Sequence, residues 1–146
     1  MRTLLAGLVA AGLVVVALAA DDEAVKKEKQ SLQGKWTIVA VDHDGKAVDM
    51  WKDGVRVFEG DSYTLTTKGG ESFKGTFALD PAKVPKAIDF MPAGGQYKGK
   101  TLRGIYEIDG DMLKVCFDLQ GKKRPMEFKS APGSQTFVNV HKRVKK

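Results

Sequence analysis

The sequence contains few arrangements of residues that are typical of acid–base or metal chemistry. The chain has two histidines, His43 within a run of turn-forming residues and His141 in a β-type stretch near the end. No His-Glu-x-x-His, Cys-x-x-Cys or Gly-x-Ser-x-Gly pattern occurs, so the spacings typical of zinc ligands or of an activated serine are absent. We therefore expect no metal, no cofactor and no enzymatic activity. We expect His141 at the surface or at one end of the fold.

The single cysteine, Cys116, is the other candidate for chemistry. An exported domain that is stabilised by disulfides carries an even set of cysteines, so this chain must depend on its hydrophobic core. Cys116 falls on the more polar face of a predicted strand, which predicts a half-covered free thiol. An intermolecular disulfide is the alternative. No histidine lies near it in the sequence to activate a catalytic thiol.

Residues 1–19 predict a signal peptide and therefore export. Arg2 precedes an uncharged apolar run, Leu4–Leu18, and Ala17-Leu18-Ala19 fits the small-x-small rule for cleavage. The run is shorter than the roughly 20 apolar residues of a membrane span, so we expect no stable span after cleavage. An uncleaved N-terminal anchor is the alternative. Residues 20–31 follow as a charged lead-in, either a short helix or a mobile segment.

The charge of the chain gives no indication of a nucleic-acid partner. There are 24 Lys and Arg against 18 Asp and Glu, a net charge of +6. The basic residues are spread along the sequence, with a short basic tail at 144–146. Nucleic-acid-binding domains instead concentrate basic and aromatic residues on one face. We expect a monomer that binds no nucleic acid.

The elements that must position these residues are β-strands. Thr101–Asp118 contains two amphipathic strands around Asp109-Gly110, the dipeptide that favours the type I′ turn of a two-residue hairpin. With that turn Tyr106 lies opposite Leu113, and one face of the hairpin is wholly apolar. This apolar face requires another layer to cover it.

Further strands show the same alternation. Val55–Thr66 predicts a second hairpin around the three-residue loop Glu59-Gly60-Asp61, which pairs Val57 with Tyr63. The remaining predicted strands are Trp36–Val41, Ser72–Leu79, Ala87–Met91, Arg124–Lys129 and Thr136–Arg143.

Short strands joined by short links predict an all-β fold. Neighbours in sequence should pair antiparallel as a meander. A meander of about eight or nine strands usually closes into a barrel, which removes its exposed edges. We therefore predict one barrel domain over residues 32–143, preceded by a short helix. A barrel of this size is either filled by side chains or able to hold one small ligand.

Several motifs resemble a known family. They include Leu32-Gln33-Gly34-Lys35-Trp36, Gly75-Thr76-Phe77-Ala78-Leu79-Asp80-Pro81, Gly104-Ile105-Tyr106-Glu107, Leu113-Lys114-Val115-Cys116-Phe117 and Arg124-Pro125-Met126-Glu127-Phe128. Together they closely resemble an uncharacterised lipocalin-like domain family that is abundant in planctomycete bacteria. The likeness covers about Leu32–Arg143. It implies an exported lipocalin-like barrel of about eight to ten strands, and it implies no activity.

Gly34-x-Trp36 also resembles the first-strand signature of lipocalins, in which the tryptophan closes the base of the barrel beneath a basic residue from the last strand. The resemblance implies that Arg143 or Lys142 covers Trp36 through a cation–π contact. The chain lacks the disulfide of typical secreted lipocalins, so the relation holds for the fold, and fold alone does not determine function.

Two functions are compatible with such a barrel. The first is a binding module that holds a small apolar or amphipathic ligand, with Tyr106 as its polar group and Trp51 at the mouth, as a plug or as a lid. The alternative is a non-catalytic interaction or structural domain of the cell envelope with a filled barrel. The candidate lumen and mouth residues are Trp51, Phe73, Phe77, Phe90, Tyr106, Leu113, Val115 and Phe117.

Overall fold

The computed structural model describes residues 22–145, so the predicted signal peptide at 1–19 lies outside the described residues. A helix covers residues 22–32, within and just beyond the predicted lead-in. A short 3-10 helix lies at Gly95–Tyr97. The strands are β1 (Gly34–His43), β2 (Lys46–Val48), β3 (Val55–Glu59), β4 (Ser62–Thr66), β5 (Ser72–Asp80), β6 (Ala87–Pro92), β7 (Leu102–Asp109), β8 (Met112–Asp118) and β9 (Thr136–Arg143).

Eight of these strands form a closed antiparallel barrel, which confirms the predicted all-β fold. β1 pairs with β3, each later strand pairs with the next, and β9 pairs back onto β1. β2 is an additional short strand that pairs with the last residues of β1. Closure means that each barrel strand has a partner on both sides, so the backbone hydrogen bonds are made within the sheet.

The β7–β8 hairpin turns at Gly110-Asp111 and not at Asp109-Gly110. Tyr106 pairs with Val115, so the predicted pairing with Leu113 is wrong by two residues. The turn glycine has a φ of 59°, which suits the first central position of a type II′ turn. A shift by two residues keeps every side chain on its predicted face, so the apolar face still points into the barrel.

The β3–β4 hairpin turns in the same way at Gly60-Asp61, where the glycine has a φ of 60°. The predicted three-residue loop is one residue too long, because Phe58 and not Val57 pairs with Tyr63. A shift by one residue exchanges the two faces of a strand. Arg56 and Phe58 therefore point into the barrel and are buried. This correction changes the composition of the barrel interior.

The segment between β8 and β9 is irregular, so the strand predicted at 124–129 is wrong. The Asp118 carboxylate accepts hydrogen bonds from the backbone N–H groups of Gln120, Lys122 and Lys123, which folds the chain into a turn. Pro125 cannot donate to a ladder. The segment instead lies against the outer face of the barrel.

The helix closes one end of the barrel. Leu32 is fully buried, and Trp36 Nε1 donates a 2.9 Å hydrogen bond to its carbonyl. Arg143 donates hydrogen bonds of 3.0 and 2.7 Å to the carbonyls of Gln33 and Ser31. Carbonyls at the end of a helix have no partner within the helix, so these contacts satisfy them and fasten the helix to β1 and β9.

Candidate functional site

A cavity of about 90 Å³ lies inside the barrel at the end opposite the helix. Its wall is largely apolar, and neither Asp nor Glu is among its lining residues. Phe73 is 41% exposed and marks the rim. The six aromatic side chains that line the cavity are Trp51, Tyr63, Phe73, Phe90, Tyr97 and Phe117.

Half of the predicted lumen and mouth residues line this cavity, namely Trp51, Phe73, Phe90 and Phe117. The other half are buried in the core that fills the rest of the barrel, namely Phe77, Tyr106, Leu113 and Val115. The barrel interior is therefore divided into a packed part near the helix and a partly open part at the mouth.

Tyr106 uses its hydroxyl at the closed end. The hydroxyl donates a 2.9 Å hydrogen bond to Glu28 Oε1, which also accepts one of 2.7 Å from Lys86 Nζ. Burial, together with this bond to the Glu28 carboxylate, raises the pKa of Tyr106 far above its ordinary value. The polar group that was expected to orient a ligand thus contacts the helix.

The residues expected to close the base lie together. The Arg143 guanidinium carbon is 4.1 Å from the centroid of the Trp36 ring, so Arg143, and not Lys142, covers this tryptophan. Gly34 has a φ of 112°, a conformation that glycine adopts without strain. A Cβ at Gly34 would lie 3.7 Å from Arg143 Nη1.

Arg56 lies on the cavity wall with part of its guanidinium unpaired. It is 4% exposed, and within residues 22–145 neither Nε nor Nη1 has a hydrogen-bond acceptor. Its guanidinium carbon is 5.2 Å from the centroid of the Phe90 ring. Desolvation lowers the pKa of Arg56 to about 10, so the group stays cationic at neutral pH. Buried charges are normally paired, which makes this arginine unusual.

Asn139 and His141 extend the polar interior along β9. Both are 0% exposed, and in the described part of the chain the Asn139 amide and His141 Nε2 have no hydrogen-bond partner. His141 Nδ1 donates to the Leu113 carbonyl at 3.1 Å, which leaves Nε2 as an acceptor. Burial, and then the Arg56 charge, hold the pKa of His141 well below its usual value. The expectation of a surface position for His141 is wrong, because β9 turns this face inward.

Arg56 is missing from the predicted site because of the register error in the β3–β4 hairpin. In Val55–Phe58 both alternating sets contain apolar residues, so hydrophobic periodicity alone does not choose the inward face. The turn sequence could have decided it. Gly60-Asp61 has glycine in the first central position that a two-residue type II′ turn requires, and that turn places Arg56 inside.

The connection between β2 and β3 holds Trp51 at the mouth. Trp51 has a φ of 65°, a left-handed conformation that costs a non-glycine residue roughly 1–3 kcal/mol. A hydrogen bond of 2.8 Å from Ile38 N to Gly54 O ties the connection to β1. The Trp51 ring packs 4.9 Å from Phe137 and 6.2 Å from Phe117 between centroids. These contacts offset the strain and cover one side of the cavity.

Cys116 is separate from the cavity. It is a free thiol, fully buried on the outer face of β8, with Sγ 3.4 Å from the Glu127 carbonyl. Burial raises the pKa of Cys116 to about 11, so little thiolate exists at neutral pH. The prediction of a half-covered thiol is wrong because Phe128 and its neighbours cover this face, where Cys116 packs with Ile105 and Val138.

Among residues 22–145, no group of three or more His, Cys, Asp or Glu side chains is arranged to hold a metal ion. No helix in that range has the length and hydrophobicity needed to cross a membrane. Comparison of the chain with protein-family models, curated proteins and solved structures found no match. The cavity and the unpaired Arg56 are therefore the main observations that bear on function.

Proposed function

We propose that this domain binds a small amphipathic organic anion in the open end of its barrel, with Arg56 as the partner of the negative charge. A buried guanidinium with unpaired nitrogens, on the wall of a cavity without acidic residues, carries this proposal. An isolated buried charge is strongly destabilising, and an anion placed beside it would remove that penalty. Hydrogen bonds between a guanidinium and an ionised oxygen are among the strongest in proteins.

The rest of the wall favours an apolar body attached to that anion. The rings of Phe90 and Phe117 meet edge to face, 5.9 Å apart between centroids, and Leu102 lies beside them in the cavity. Trp51 and Phe73 stand at the mouth. Apolar contact contributes about 25 cal/mol for each Å² removed from water, so these walls add affinity without adding charge.

Arg56 also favours the binding function over a filled, purely structural barrel. Near the helix the interior is packed, as the structural alternative predicts, with Phe58, Phe77 and Leu113 buried. An unpaired cation is costly in a structural core, since an apolar side chain of similar volume is often more stable. A bound anion would explain why an arginine occupies this position.

We propose a role without catalysis. Of the two titratable groups on β3 and β9 that face the interior, Arg56 stays charged and His141 stays neutral at pH 7. Neither has a pKa near neutral pH, which efficient general acid–base catalysis requires.

We further propose that the domain is exported and belongs to the planctomycete-type lipocalin-like family that it resembles in sequence. Export rests on the signal-peptide pattern at 1–19. Intact mass spectrometry of the protein isolated from its own host tests this part. A mass that lacks residues 1–19 is expected, whereas the mass of the whole chain would contradict cleavage.

Calorimetric titration with hexanoate, hexanol and hexylamine tests the binding function, because these compounds share one body and differ in charge. We expect the tightest binding for hexanoate and none for hexylammonium. Arg56→Met should weaken hexanoate binding by about tenfold or more and leave hexanol unchanged. Lys35→Met, which removes an exposed cation from the neighbouring strand, is the matched control. Equal affinities for hexanoate and hexanol, or no binding at all, would contradict the proposal.

Native mass spectrometry of the protein isolated from its host would identify the ligand directly. A reproducible adduct of a small acid is expected. A bare mass, combined with no binding of hexanoate, would instead favour the filled-barrel interaction domain, and the search would move to protein partners of the loops.

A further inference from the structure

We infer that the ligand is a monocarboxylate with a short apolar chain. Its carboxylate lies inside the cavity between Arg56 and the hydroxyl of Tyr63, and its apolar chain points towards the mouth. This inference rests on the proposed function, and it specifies the head group, the length and the orientation of the ligand.

Arg56 and Tyr63 converge on one aromatic ring. The Arg56 guanidinium carbon is 5.2 Å from the Phe90 centroid, and the Tyr63 ring meets the same Phe90 ring edge to face at 5.1 Å. Both residues line the cavity. A Cβ on Gly75 would lie 2.9 Å from Tyr63 Oη, so the glycine makes room for the hydroxyl end of the ring. Two donors are thus placed on one side of the cavity.

Tyr63 supplies a donor that carries no charge. Burial raises the pKa of Tyr63, an effect that the Arg56 charge only partly opposes, so the hydroxyl keeps its proton at neutral pH. A carboxylate has two oxygens, each with free lone pairs. One oxygen can accept from the guanidinium and the other from the hydroxyl, which suits a planar head group with two acceptors.

The charge of the interior favours a monoanion. Among the buried side chains of residues 22–145, Arg56 is the only Lys or Arg, and the buried His141 beside it is neutral. Lys74 lies at the rim but is exposed, so water screens its charge. One carboxylate neutralises Arg56. A phosphate monoester dianion would bring a second negative charge into the apolar cavity without a partner.

The size of the cavity limits the buried part of the ligand. Its volume of about 90 Å³ is smaller than that of a cavity of roughly 150 Å³ that can hold benzene. On the side of the helix the barrel is filled by Phe58 and Phe77, which are 1% and 3% exposed. The cavity therefore accommodates a carboxylate and about two or three carbons. Further carbons must lie at the mouth, between Trp51 and Phe73.

Calorimetry with straight-chain carboxylates from propanoate to decanoate tests length and orientation. Affinity should rise about fourfold for each added carbon until about hexanoate and then level off, because later carbons reach solvent. An increase that continues to decanoate would place a long chain inside the barrel and overturn the inference. Hexyl phosphate at pH 8 should bind about tenfold more weakly than hexanoate, and tighter binding would overturn the assignment of the head group.

Tyr63→Phe tests the second donor. We expect a loss of about tenfold in hexanoate affinity with unchanged hexanol affinity. Tyr106→Phe removes the buried hydroxyl at the closed end and should bind hexanoate as the wild type does. Wild-type affinity in Tyr63→Phe would overturn this inference while leaving the proposed function intact. The absence of binding for every carboxylate and for hexyl phosphate in the wild type would overturn both.

Discussion

Two arginines stack on aromatic rings at opposite ends of this barrel, and they differ in what else they contact. Arg143, at the closed end, donates hydrogen bonds of 3.0 and 2.7 Å to carbonyls at the end of the helix while covering Trp36. Arg56, at the open end, stacks on Phe90, and its Nε and Nη1 have no acceptor within residues 22–145. The guanidinium group at the closed end thus has hydrogen-bond acceptors, whereas two nitrogens of the one at the open end have none within residues 22–145.

This difference indicates how the two ends are used. At the closed end, the helix accepts hydrogen bonds from the side chains of Arg143, Trp36 and Tyr106, so these polar groups contribute to stability. At the open end, the burial of Arg56 opposes stability, and the proposed anion would relieve that cost. Natural proteins break local rules of stability mainly at functional sites, and the contrast therefore supports the proposal that the open end binds a ligand.

The largest effect is expected from Arg143→Met. The substitution removes two charged hydrogen bonds to helix carbonyls and the contact with the Trp36 ring, so the free energy of unfolding should fall by about 3 kcal/mol. Urea denaturation measures it. Lys142→Met, an exposed neighbour on the same strand, is the control and should change little. Equal losses of unfolding free energy in the two variants would contradict the structural role of Arg143 at the closed end.

Arg56→Met should instead raise the free energy of unfolding of the ligand-free protein. Burial lowers the pKa of Arg56 to about 10 on folding, so at pH 7 the folded chain holds a destabilised cation. This shift corresponds to a cost in stability of roughly 3 kcal/mol, which is fully present below pH 10 and is relieved as the pH rises above it. Methionine keeps much of the volume and loses the contact with Phe90, so ligand-free protein should gain about 2 kcal/mol.

Urea denaturation of ligand-free protein measures this gain, with Lys35→Met as the control for removing one positive charge. A loss of stability similar to that of Arg143→Met would show that Arg56 is a structural residue. The two arginines would then be equivalent, and the main support for an anion site would be gone.

The barrel could be predicted from sequence because alternation and turn residues repeat along the whole chain. The wrong prediction of the turn at Asp109-Gly110 left the inward and outward faces correct, since an error of two residues preserves the faces of a strand. The site was harder, because the inward face of β3 depends on a single residue in the length of the Gly60-Asp61 turn. With a two-residue turn Arg56 points into the barrel, whereas with a three-residue turn it would point outward.

Other parts of the site depended on contacts between distant segments. His141 and Asn139 share a face with Phe137, a grouping visible in the sequence, but only barrel closure shows that this face is the inner one. Cys116 is buried because the irregular segment around Phe128 covers it. Periodicity along one strand carries no information about such a cover.

The pH dependence of the free energy of unfolding tests the environment of His141. Its pKa is held well below 6.5 in the folded chain, so the unfolded chain takes up a proton that the folded chain does not as the pH falls below 6.5. Stability should therefore fall between pH 7 and pH 5.5 on account of this residue. His141→Gln should remove that part of the drop, whereas His43→Gln should retain it. An unchanged pH dependence in His141→Gln would mean that the ring is not held neutral beside Arg56.

The smallest expected change in stability concerns two tyrosines, which lie at opposite ends of the barrel as the two arginines do. Tyr106→Phe removes a 2.9 Å hydrogen bond to the Glu28 carboxylate at the closed end and should cost about 1 kcal/mol in urea denaturation. Tyr63→Phe, at the open end, should change stability by less than about 0.5 kcal/mol while weakening the binding of carboxylates. If Tyr63→Phe were the more destabilising of the two, its hydroxyl would belong to the structure. The division of the barrel into a stabilising end and a binding end would then fail at the residue that is expected to complete the carboxylate site.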